Sequence, residues 1–404
     1  MILPFASGKR SEAMGYRIAI AGGGLGGLTA ALALSQGGHE VIVLEQATAH
    51  RTAGAGIQLS PNASRVLLRL GLGPALEGKV TATKRSRFRH FRTGRTITEA
   101  RLGAEAEGRY GAPYWQIHRA DLHEALQTAL ANPPNVELRL GRAVSASAIT
   151  EEEKAVTLPG VDGPVDLLLG ADGIHSEVRR WCFGEAPARF TGQVAWRFLV
   201  PSEGLPPALQ ARDSQVWWGP GKHFVHYPVD GGARINGVAV VEAGAWTEES
   251  WALPGQPEDL RAAFRGWHPE LQQLLERVTP EGLFQWGLFD RAPLPRWHRG
   301  PVALLGDACH PTLPFLAQGA AMAIEDSAAL TLALAQAPNV SGALAVYEVW
   351  RRSRTARIQQ LSRRYGWVYH LGAPLSIFRN LAAPLARGTT MDWLYRYDVE
   401  DQIS

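Results

Sequence analysis

The sequence predicts an α/β protein in which a discontinuous Rossmann-like dinucleotide-binding domain is interrupted by an inserted β-rich domain. Three observations support this class. A strand, a glycine turn, a helix and a second strand follow one another between residues 16 and 46. Two later apolar strands each run into an acidic residue, Asp172 and Asp307. Between them, residues 185–285 alternate apolar and polar side chains with Pro and Gly turns, a pattern typical of an antiparallel sheet.

The composition bounds the class of protein further. Hydrophobic residues make up 46% of the 404 residues and charged residues 20%, which suits a globular protein with a large core. A net charge of +3 gives no reason to expect a nucleic acid as partner. No run of 18 apolar residues occurs, so no membrane span is expected. Cys182 and Cys309 lack metal-ligand spacing, so we expect no metal, two unrelated thiols and a cytoplasmic location.

The first unit carries the glycine fingerprint of a dinucleotide site. Gly22, Gly24 and Gly27 form G-x-G-x-x-G directly after a short apolar run. Gly22 permits the turn, Gly24 lets a pyrophosphate approach the backbone beside Leu25, and Gly27 allows the helix to pack closely on the strand. The helix is expected over residues 28–36, because a Gly-Gly pair follows it.

An acidic residue completes this fingerprint. The second strand, residues 40–44, ends at Glu45 and Gln46, about 20 residues after the glycines, where a carboxylate accepts hydrogen bonds from a ribose. Glycines also cluster in ordinary turns, so the motif alone is a weak signal. With strand, helix, strand and acid in register, a dinucleotide site is the better interpretation.

Two later segments add candidate contacts. Residues 50–63 contain closely spaced glycines, among them Gly56, and a Pro-Asn pair, which predicts a loop folded against a flat group and then a helix over 63–70. Arg51 in this loop reaches a phosphate or is solvated, and the sequence leaves both open. Residues 114–126 pass from strand to helix through Arg119, which is a cofactor contact or a surface residue.

Together these motifs resemble the single-component FAD-dependent aromatic hydroxylases, which include salicylate hydroxylase, 3-hydroxybenzoate 6-hydroxylase and p-hydroxybenzoate hydroxylase. The resemblance rests on the glycine unit, GAGIQLSPNA at 54–63, GADGIHSEVR at 170–179 and Gly-Asp at 306–307. It implies that the dinucleotide is FAD, held non-covalently. No second G-x-G-x-x-G is present, so NADH or NADPH is expected to dock transiently as reductant.

The resemblance also implies roles for individual residues. Arg119 contacts the flavin, and the Asp172-Gly173 turn touches the FAD pyrophosphate region and the path of the reductant. Asp307 binds the ribityl chain. The helix that begins near Gly319 and Ala320, after Pro314, directs its N-terminus at the pyrimidine end of the flavin, where a positive helix end suits an anionic reduced ring.

The candidate proton-transfer residues lie on one strand of the inserted domain. In HFVHY, residues 223–227, His223 and Tyr227 share one face, whereas Phe224 and His226 share the other. A lone histidine is usually a structural or surface residue. The match to the substrate-pocket strand of the resembled family (HFxxYP) makes His223 and Tyr227 the candidates for removing a substrate proton.

The expected domain boundaries follow from these motifs. We expect the FAD domain at 14–78, 103–184 and 286–365, the substrate domain at 79–102 and 185–285, and a C-terminal segment at 366–404. The basic strand at 84–92 is expected to join the substrate sheet. Six arginines between 347 and 364 are expected on a solvated or subunit-contacting surface, and a homodimer is left open.

The function implied by the resemblance is hydroxylation of a phenolic or heteroaromatic acid by NAD(P)H and dioxygen. Dioxygen adds at the flavin C(4a) carbon, and the resulting hydroperoxide delivers oxygen to the ring. Salicylate-like, hydroxybenzoate-like and hydroxypyridine carboxylate substrates are equally open. An FAD epoxidase or antibiotic-modifying monooxygenase with the same motifs, and a flavoprotein dehydrogenase, are the alternatives.

Overall fold

A computed structural model describes residues 15–49, 55–246, 253–386 and 391–403 of the chain. Its strands are β1 (Arg17–Ala21), β2 (Glu40–Glu45), β3 (Gly56–Leu59), β4 (Thr81–Ala82), β5 (Arg85–His90), β6 (Thr96–Arg101), β7 (Trp115–His118), β8 (Val136–Leu140), β9 (Thr150–Glu151), β10 (Val156–Thr157), β11 (Leu167–Gly170), β12 (Arg189–Pro201), β13 (Asp213–Gly219), β14 (Lys222–Val229), β15 (Arg234–Glu242), β16 (Leu253–Pro254), β17 (Phe284–Asp290), β18 (His298–Arg299) and β19 (Val302–Leu304).

Helices follow several of these strands and cluster towards the end of the chain. They are α1 (Leu25–Gln36), α2 (Pro61–Arg69), α3 (Gly73–Leu76), α4 (Ala104–Tyr110), α5 (Arg119–Leu130), α6 (Glu177–Phe183), α7 (Pro207–Gln210), α8 (Pro257–Ala263), α9 (Pro269–Glu276), α10 (Gly319–Gln336), α11 (Val340–Tyr369), α12 (Leu375–Ala382) and α13 (Asp392–Tyr395). None of the helices in the described ranges combines the length and apolarity needed to span a bilayer.

The first large sheet has the Rossmann-type arrangement that the sequence predicts. Its six strands lie in the order β18-β19-β11-β1-β2-β8, and all neighbours are parallel except β18 and β19. The central strand β1 is almost wholly buried, because it has a strand on either side. Helix α1, which follows it, packs against both α5 and α10. This placement brings the carboxyl ends of β1, β11 and β19, and the acidic motifs that follow β11 and β19, to one edge.

The second large sheet is the inserted β-rich unit. Its eight strands lie in the order β16-β17-β12-β15-β14-β13-β5-β6. The early strand β5 pairs in parallel with β13, so the basic segment joins this sheet as expected. The two faces of the sheet differ. One packs Phe224 and Trp217 against the core beneath α8 and α9, and the other packs Val225 and Trp218 against Phe315.

The arginines of α11 correct one expectation. Arg351 is fully buried and lies 2.6 Å from Glu325 and 2.7 Å from Asp326, and Arg354 also pairs with Glu325 at 2.7 Å. The prediction of a solvated surface is therefore wrong for these two arginines. Long-range packing is the reason, since α11 lies along α10, whose two adjacent acids point into the interface. Three others remain exposed, namely Arg352, Arg357 and Arg364.

Candidate active site

The glycine turn after β1 has the geometry that the fingerprint requires. Gly22 adopts φ +107°, which side chains rarely tolerate. A Cβ on Gly27 would lie 1.9 Å from the carbonyl oxygen of Gly22, so the close approach of α1 demands glycine there. At Gly24 a Cβ would meet nothing within 4 Å, which leaves the turn open towards a ligand. Leu25 is buried at the start of α1.

The carboxylate of Glu45 is oriented by backbone groups beside this turn. Its Oε2 accepts from the amide of Gly23 at 2.7 Å, and its Oε1 accepts from the amide of Ala47 at 2.8 Å. Each oxygen keeps a further lone pair, so the group can still accept hydrogen bonds from two ribose hydroxyls. Gln46, the next residue, is exposed.

A small three-stranded sheet brings Gly56 close to Arg119. Gly56 in β3 pairs with His118 in β7, directly before Arg119 at the start of α5. Arg119 is exposed, and it forms no ion pair with any residue in the described ranges. A Cβ on Gly56 would lie 2.8 Å from both Asn236 and Tyr227, so this contact between the two halves also needs glycine. Arg51 lies outside the described residues.

Asp172 follows β11 and caps α6. Its carboxylate accepts from the Ser176 hydroxyl at 2.5 Å and from the amides of Glu177 and Val178 at 2.8 and 3.2 Å. Burial raises the pKa of Asp172, and these hydrogen bonds oppose the shift. The helix end thus accommodates a carboxylate that the sequence alone associates with a ligand. Gly173 adopts φ +80°, and a cofactor role for this turn stays a prediction.

Asp307 follows β19 and combines a deep position with exposure to solvent. It lies far inside the protein, where burial raises its pKa against the opposing charges of His310 and Arg119. The residue is nevertheless exposed to solvent. Asp326 of α10 fixes this loop, because its Oδ2 accepts from the Gly306 amide at 3.1 Å and lies 2.6 Å from His310 Nε2.

The loop after Asp307 leads into the N-terminus of α10. Pro314 opens a single turn of 3₁₀ helix and is exposed, and Ala317 follows with φ +53°. Gly319 and Ala320 form the first turn of α10 and are only partly covered. Free amides at a helix N-terminus favour negative charge. The open glycine turn, the oriented Glu45 and the accessible Asp307 together fit an extended dinucleotide such as FAD.

The candidate catalytic strand β14 faces as the sequence predicts. His223 packs its ring 5.3 Å from those of Phe315 and Tyr369, on the side towards the cofactor half. His226 points to the other core, where its ring lies 6.3 Å from Trp217. Burial, together with the nearby Arg89, lowers the pKa of His226 to about 3. His226 is therefore a neutral core residue in this fold.

Tyr227 lies where the eight-stranded sheet contacts the small three-stranded sheet. Its hydroxyl donates to the carbonyl of Gly56 at 2.7 Å, and Asn236 on the neighbouring strand accepts from the Gly56 amide at 2.7 Å. Burial raises the pKa of Tyr227, with Gln58 and Arg197 opposing the shift. The phenol therefore stays protonated, and its oxygen keeps a lone pair that can accept from a ligand.

Sequence analysis missed two residues near this strand. Arg197 on β12 lies opposite Val238 on β15, and Val238 lies opposite Val225 on β14. Arg197 therefore lies on the same face of the sheet as His223 and Tyr227. Along β14 its position corresponds to Val225, midway between those two residues. It makes no hydrogen bond or ion pair with any described residue, and burial lowers its pKa. The other is His370, whose Nε2 lies 2.8 Å from His223 Nδ1. No local pattern marks either residue.

A separate cluster of three side chains has the composition of a metal site. Ligand atoms of His118, Asp121 and Asp230 lie within 4.8 Å of one another. Burial and the Asp230 carboxylate raise the pKa of Asp121. Arg234 pairs with Asp230, and Lys79 lies close enough to Asp121 to oppose its pKa shift. Because these cations already balance the carboxylates, we assign no metal here.

Comparison with known proteins identifies the family. Residues 16–364 match the family described as FAD binding domain, and the chain belongs to it. The chain is 39% identical over 388 residues to 3-amino-4-hydroxybenzoate 2-monooxygenase PtnB3 from Streptomyces platensis, covering 95% of this chain and 96% of that protein. It is 37% identical to 3-hydroxybenzoate 6-hydroxylase from Polaromonas naphthalenivorans, covering 95% and 96%.

A solved structure agrees with this placement. Klebsiella pneumoniae HpxO complexed with FAD and uric acid superposes with a TM-score of 0.81 at 29% identity, covering 97% of this chain and 98% of that one. The family match, the fold and these relatives confirm the predicted class. The protein is an FAD-dependent aromatic-ring monooxygenase that uses NADH or NADPH as reductant.

Proposed function

We propose that this enzyme hydroxylates an aromatic carboxylic acid that carries a ring hydroxyl, with Arg197 binding the carboxylate and His223 accepting the hydroxyl proton. The observation that carries the proposal is Arg197, a largely buried guanidinium that no described residue neutralises. An uncompensated buried charge is costly, and a bound carboxylate would compensate it with charge-assisted hydrogen bonds.

The rest of the pocket suits an aromatic ring. Arg197 lies 5.4 Å from the centroid of the Trp286 ring, and His223 borders Phe315, so apolar walls flank both polar groups. The relatives support the same substrate class. Two of them are named for 3-amino-4-hydroxybenzoate and 3-hydroxybenzoate, which both carry a carboxylate and a ring hydroxyl.

The residues divide the work between cofactor and substrate. Glu45 would hold the adenosine ribose, Arg119 the flavin, and Asp307 the ribityl chain. Bound FAD supplies the activated oxygen. His223 would remove the hydroxyl proton, which increases the electron density of the ring. Phe315 and Trp286 would exclude water from the reacting face.

A substrate panel with paired analogues tests this proposal. NADH and NADPH oxidation would be followed with 3-hydroxybenzoate, 3-amino-4-hydroxybenzoate, salicylate and 6-hydroxynicotinate, and with phenol and 2-aminophenol, which lack the carboxylate. We expect coupled product, identified by mass, from at least one acid and a much higher KM for its decarboxylated partner. Equal kcat/KM for acid and phenol would contradict the role of Arg197.

Arg197→Met gives a sharper version of the same test. Losing a charged hydrogen bond of about 1.5–3 kcal/mol should raise the KM for the acid roughly 10- to 100-fold and leave the KM for the phenol unchanged. Arg189→Met is the matched control, because Arg189 lies exposed at the start of the same strand. A uniform loss on acid and phenol would indicate disrupted folding of the strand instead.

We also propose a cytoplasmic, homodimeric enzyme. Both cysteines are free and buried, as suits a reducing compartment that supplies NADH or NADPH. Helix α12 exposes the apolar side chains of Ile377, Phe378 and Leu381, which favours a subunit contact. Light scattering of the purified protein and of Phe378→Glu tests the dimer. A monomeric wild-type protein would contradict it.

A further inference from the structure

A continuous chain of hydrogen bonds runs from His223 to the surface of the protein. His223 Nδ1 lies 2.8 Å from His370 Nε2, and His370 Nδ1 lies 3.2 Å from Glu242 Oε1. Both histidines are buried, whereas the Glu242 side chain is 60% exposed. The three residues come from β14, from β15 and from the end of α11, so only the folded chain brings them together.

The exposed carboxylate fixes where the protons of this chain lie. An ionised carboxylate only accepts, so His370 Nδ1 donates to Glu242. A neutral imidazole has one donor and one acceptor, so His370 Nε2 accepts from His223 Nδ1. His223 Nε2 is then an acceptor, and it has no hydrogen-bond partner among the described residues. His223 therefore presents a basic nitrogen rather than an N–H.

The surroundings of the two imidazoles keep both of them neutral. Burial lowers the pKa of His223 well below its ordinary value, and His370 adds to this. Burial also lowers the pKa of His370, with Glu242 opposing and Arg379 of α12 adding to the shift. The amide nitrogen of Gln193 lies 3.4 Å from His370 Nδ1 and competes with Glu242. The carboxylate is nearer and charged, so its hydrogen bond is the stronger.

We infer that His223, His370 and Glu242 form a relay that carries the hydroxyl proton of the substrate from the buried ring to solvent. The inference rests on the proposed function, because it needs a bound ring hydroxyl. The substrate O–H bond breaks as N–H forms at His223 Nε2. The proton on His223 Nδ1 passes to His370 Nε2, and that on His370 Nδ1 passes to Glu242, which releases it to water.

The same chain can run backwards to restore the enzyme. After the first transfer both histidines hold their proton on Nε2, and the Glu242 carboxylate faces a nitrogen without a proton. This arrangement is less stable, because the carboxylate has lost its donor. When the hydroxylated carbon loses its hydrogen to water as a proton, the product ring regains its aromatic character and its oxygen takes a proton back from His223 Nε2. Water then returns a proton through Glu242, and the first tautomers are restored.

Proton release measured by stopped flow tests this relay. The holoenzyme would be mixed with 3-hydroxybenzoate or 3-amino-4-hydroxybenzoate in weakly buffered solution containing a pH-indicator dye. We expect rapid release in the wild type and release slowed by roughly 10²- to 10⁴-fold in His370→Gln and Glu242→Gln, since each breaks the transfer. Reduction of the bound flavin by NADH, measured in the same preparations, should be unchanged.

Two matched controls separate the relay from general damage. His226→Gln alters a buried histidine on the opposite face of β14, and Glu276→Gln alters an exposed glutamate at the end of α9. Both should release the proton at the wild-type rate. In His370→Ala, added imidazole should restore release, and a more basic methylimidazole should restore it faster. A purely structural histidine would give no dependence on the basicity of the added base.

The contrary outcomes are distinct. Release at the wild-type rate in His370→Gln and Glu242→Gln, with product still formed, would overturn the relay and leave the proposed function intact. A wild-type enzyme that forms no product from these acids and releases no proton would overturn both. Side-chain ¹⁵N NMR supplies a test without substrate. We expect the Nδ1–H tautomer at His223 and His370, and an Nε2–H tautomer at His223 would overturn the relay.

Discussion

Among single residues, Glu45 has a carboxylate that backbone amides hold in one orientation. The amides of Gly23 and Ala47 hold its two oxygens, so little side-chain entropy remains to be lost on binding. Glu45→Ala should weaken FAD binding by about 1–3 kcal/mol. A titration of FAD with the apoprotein, followed by the quenching of flavin fluorescence, measures this change. Glu45→Gln keeps one acceptor and should lose less. Unchanged affinity in Glu45→Ala would show that the ribose lies elsewhere.

Asp172 has a structural role as a helix cap and a predicted role at the cofactor, and two measurements distinguish them. Because it caps α6 with Ser176, Asp172→Ala should lower the free energy of unfolding by about 0.5–2 kcal/mol in chemical denaturation. If the turn also serves the cofactor and the reductant, the FAD-reloaded variant should be reduced more slowly by NADH in stopped flow. Ser176→Ala is the control, since it weakens the cap and leaves the carboxylate. An unaltered reduction rate in Asp172→Ala would leave only the cap.

At the scale of elements, β14 makes a prediction about its two faces. His223→Ala should still consume NAD(P)H with substrate present but release more hydrogen peroxide and less product, because the ring hydroxyl keeps its proton. Tyr227→Phe should uncouple too, and it also loses the contact with Gly56. His226→Ala alters the opposite face and should keep the ratio of product to NAD(P)H. Product and peroxide assays measure this ratio. If His226→Ala uncouples the enzyme while His223→Ala and Tyr227→Phe stay coupled, the opposite face of β14 faces the substrate.

The pairing of α10 with α11 makes a prediction about stability and pH. Burial alone would raise the pKa of Glu325, but Arg354 and Arg351 outweigh burial and hold this pKa below its ordinary value. His310 and Arg351 likewise hold the pKa of Asp326 below its ordinary value. These folded pKa values lie below the unfolded ones, so the stabilisation is complete above about pH 5 and is lost as the pH falls further.

Arg351→Met tests this pairing, since it leaves two buried acids without that partner. It should lower the free energy of unfolding at neutral pH by about 3–5 kcal/mol. Denaturant titrations at several pH values should also show a smaller loss of stability below about pH 5 than in the wild type. Arg352→Met, at an exposed neighbouring position, is the control. A parallel pH dependence in wild type and Arg351→Met would assign the acid loss to other groups.

Across the whole molecule, the features that the sequence predicts correctly are those with a local signal. The glycine turn, the acid about 20 residues later and the alternating faces of β14 are set by neighbouring residues, so pattern and backbone geometry predict them. Arg351, Arg197 and His370 depend instead on partners that only the fold supplies. His370, for example, lies 147 residues from His223. Periodicity assigned the arginines of α11 to a surface, because it contains no information about the acids on α10.

Residues 391–403 are held to the rest of the protein by polar contacts and by one buried side chain. Asp398 accepts from both Nη atoms of Arg69 at 2.6 Å, and Arg354 donates to the carbonyl of Leu394 at 2.9 Å. Leu394 is fully buried, so the segment belongs to the core of the cofactor half. Asp398→Asn should cost about 1–2 kcal/mol of unfolding free energy, because the pair is only partly solvated. Glu400→Gln, which alters the more exposed contact with Arg69, should cost less.

Removing residues 391–404 should lower the Tm further, since it uncovers apolar side chains and leaves Arg354 without its carbonyl partners. An unchanged Tm for the truncated protein would show that the segment merely lies on the surface.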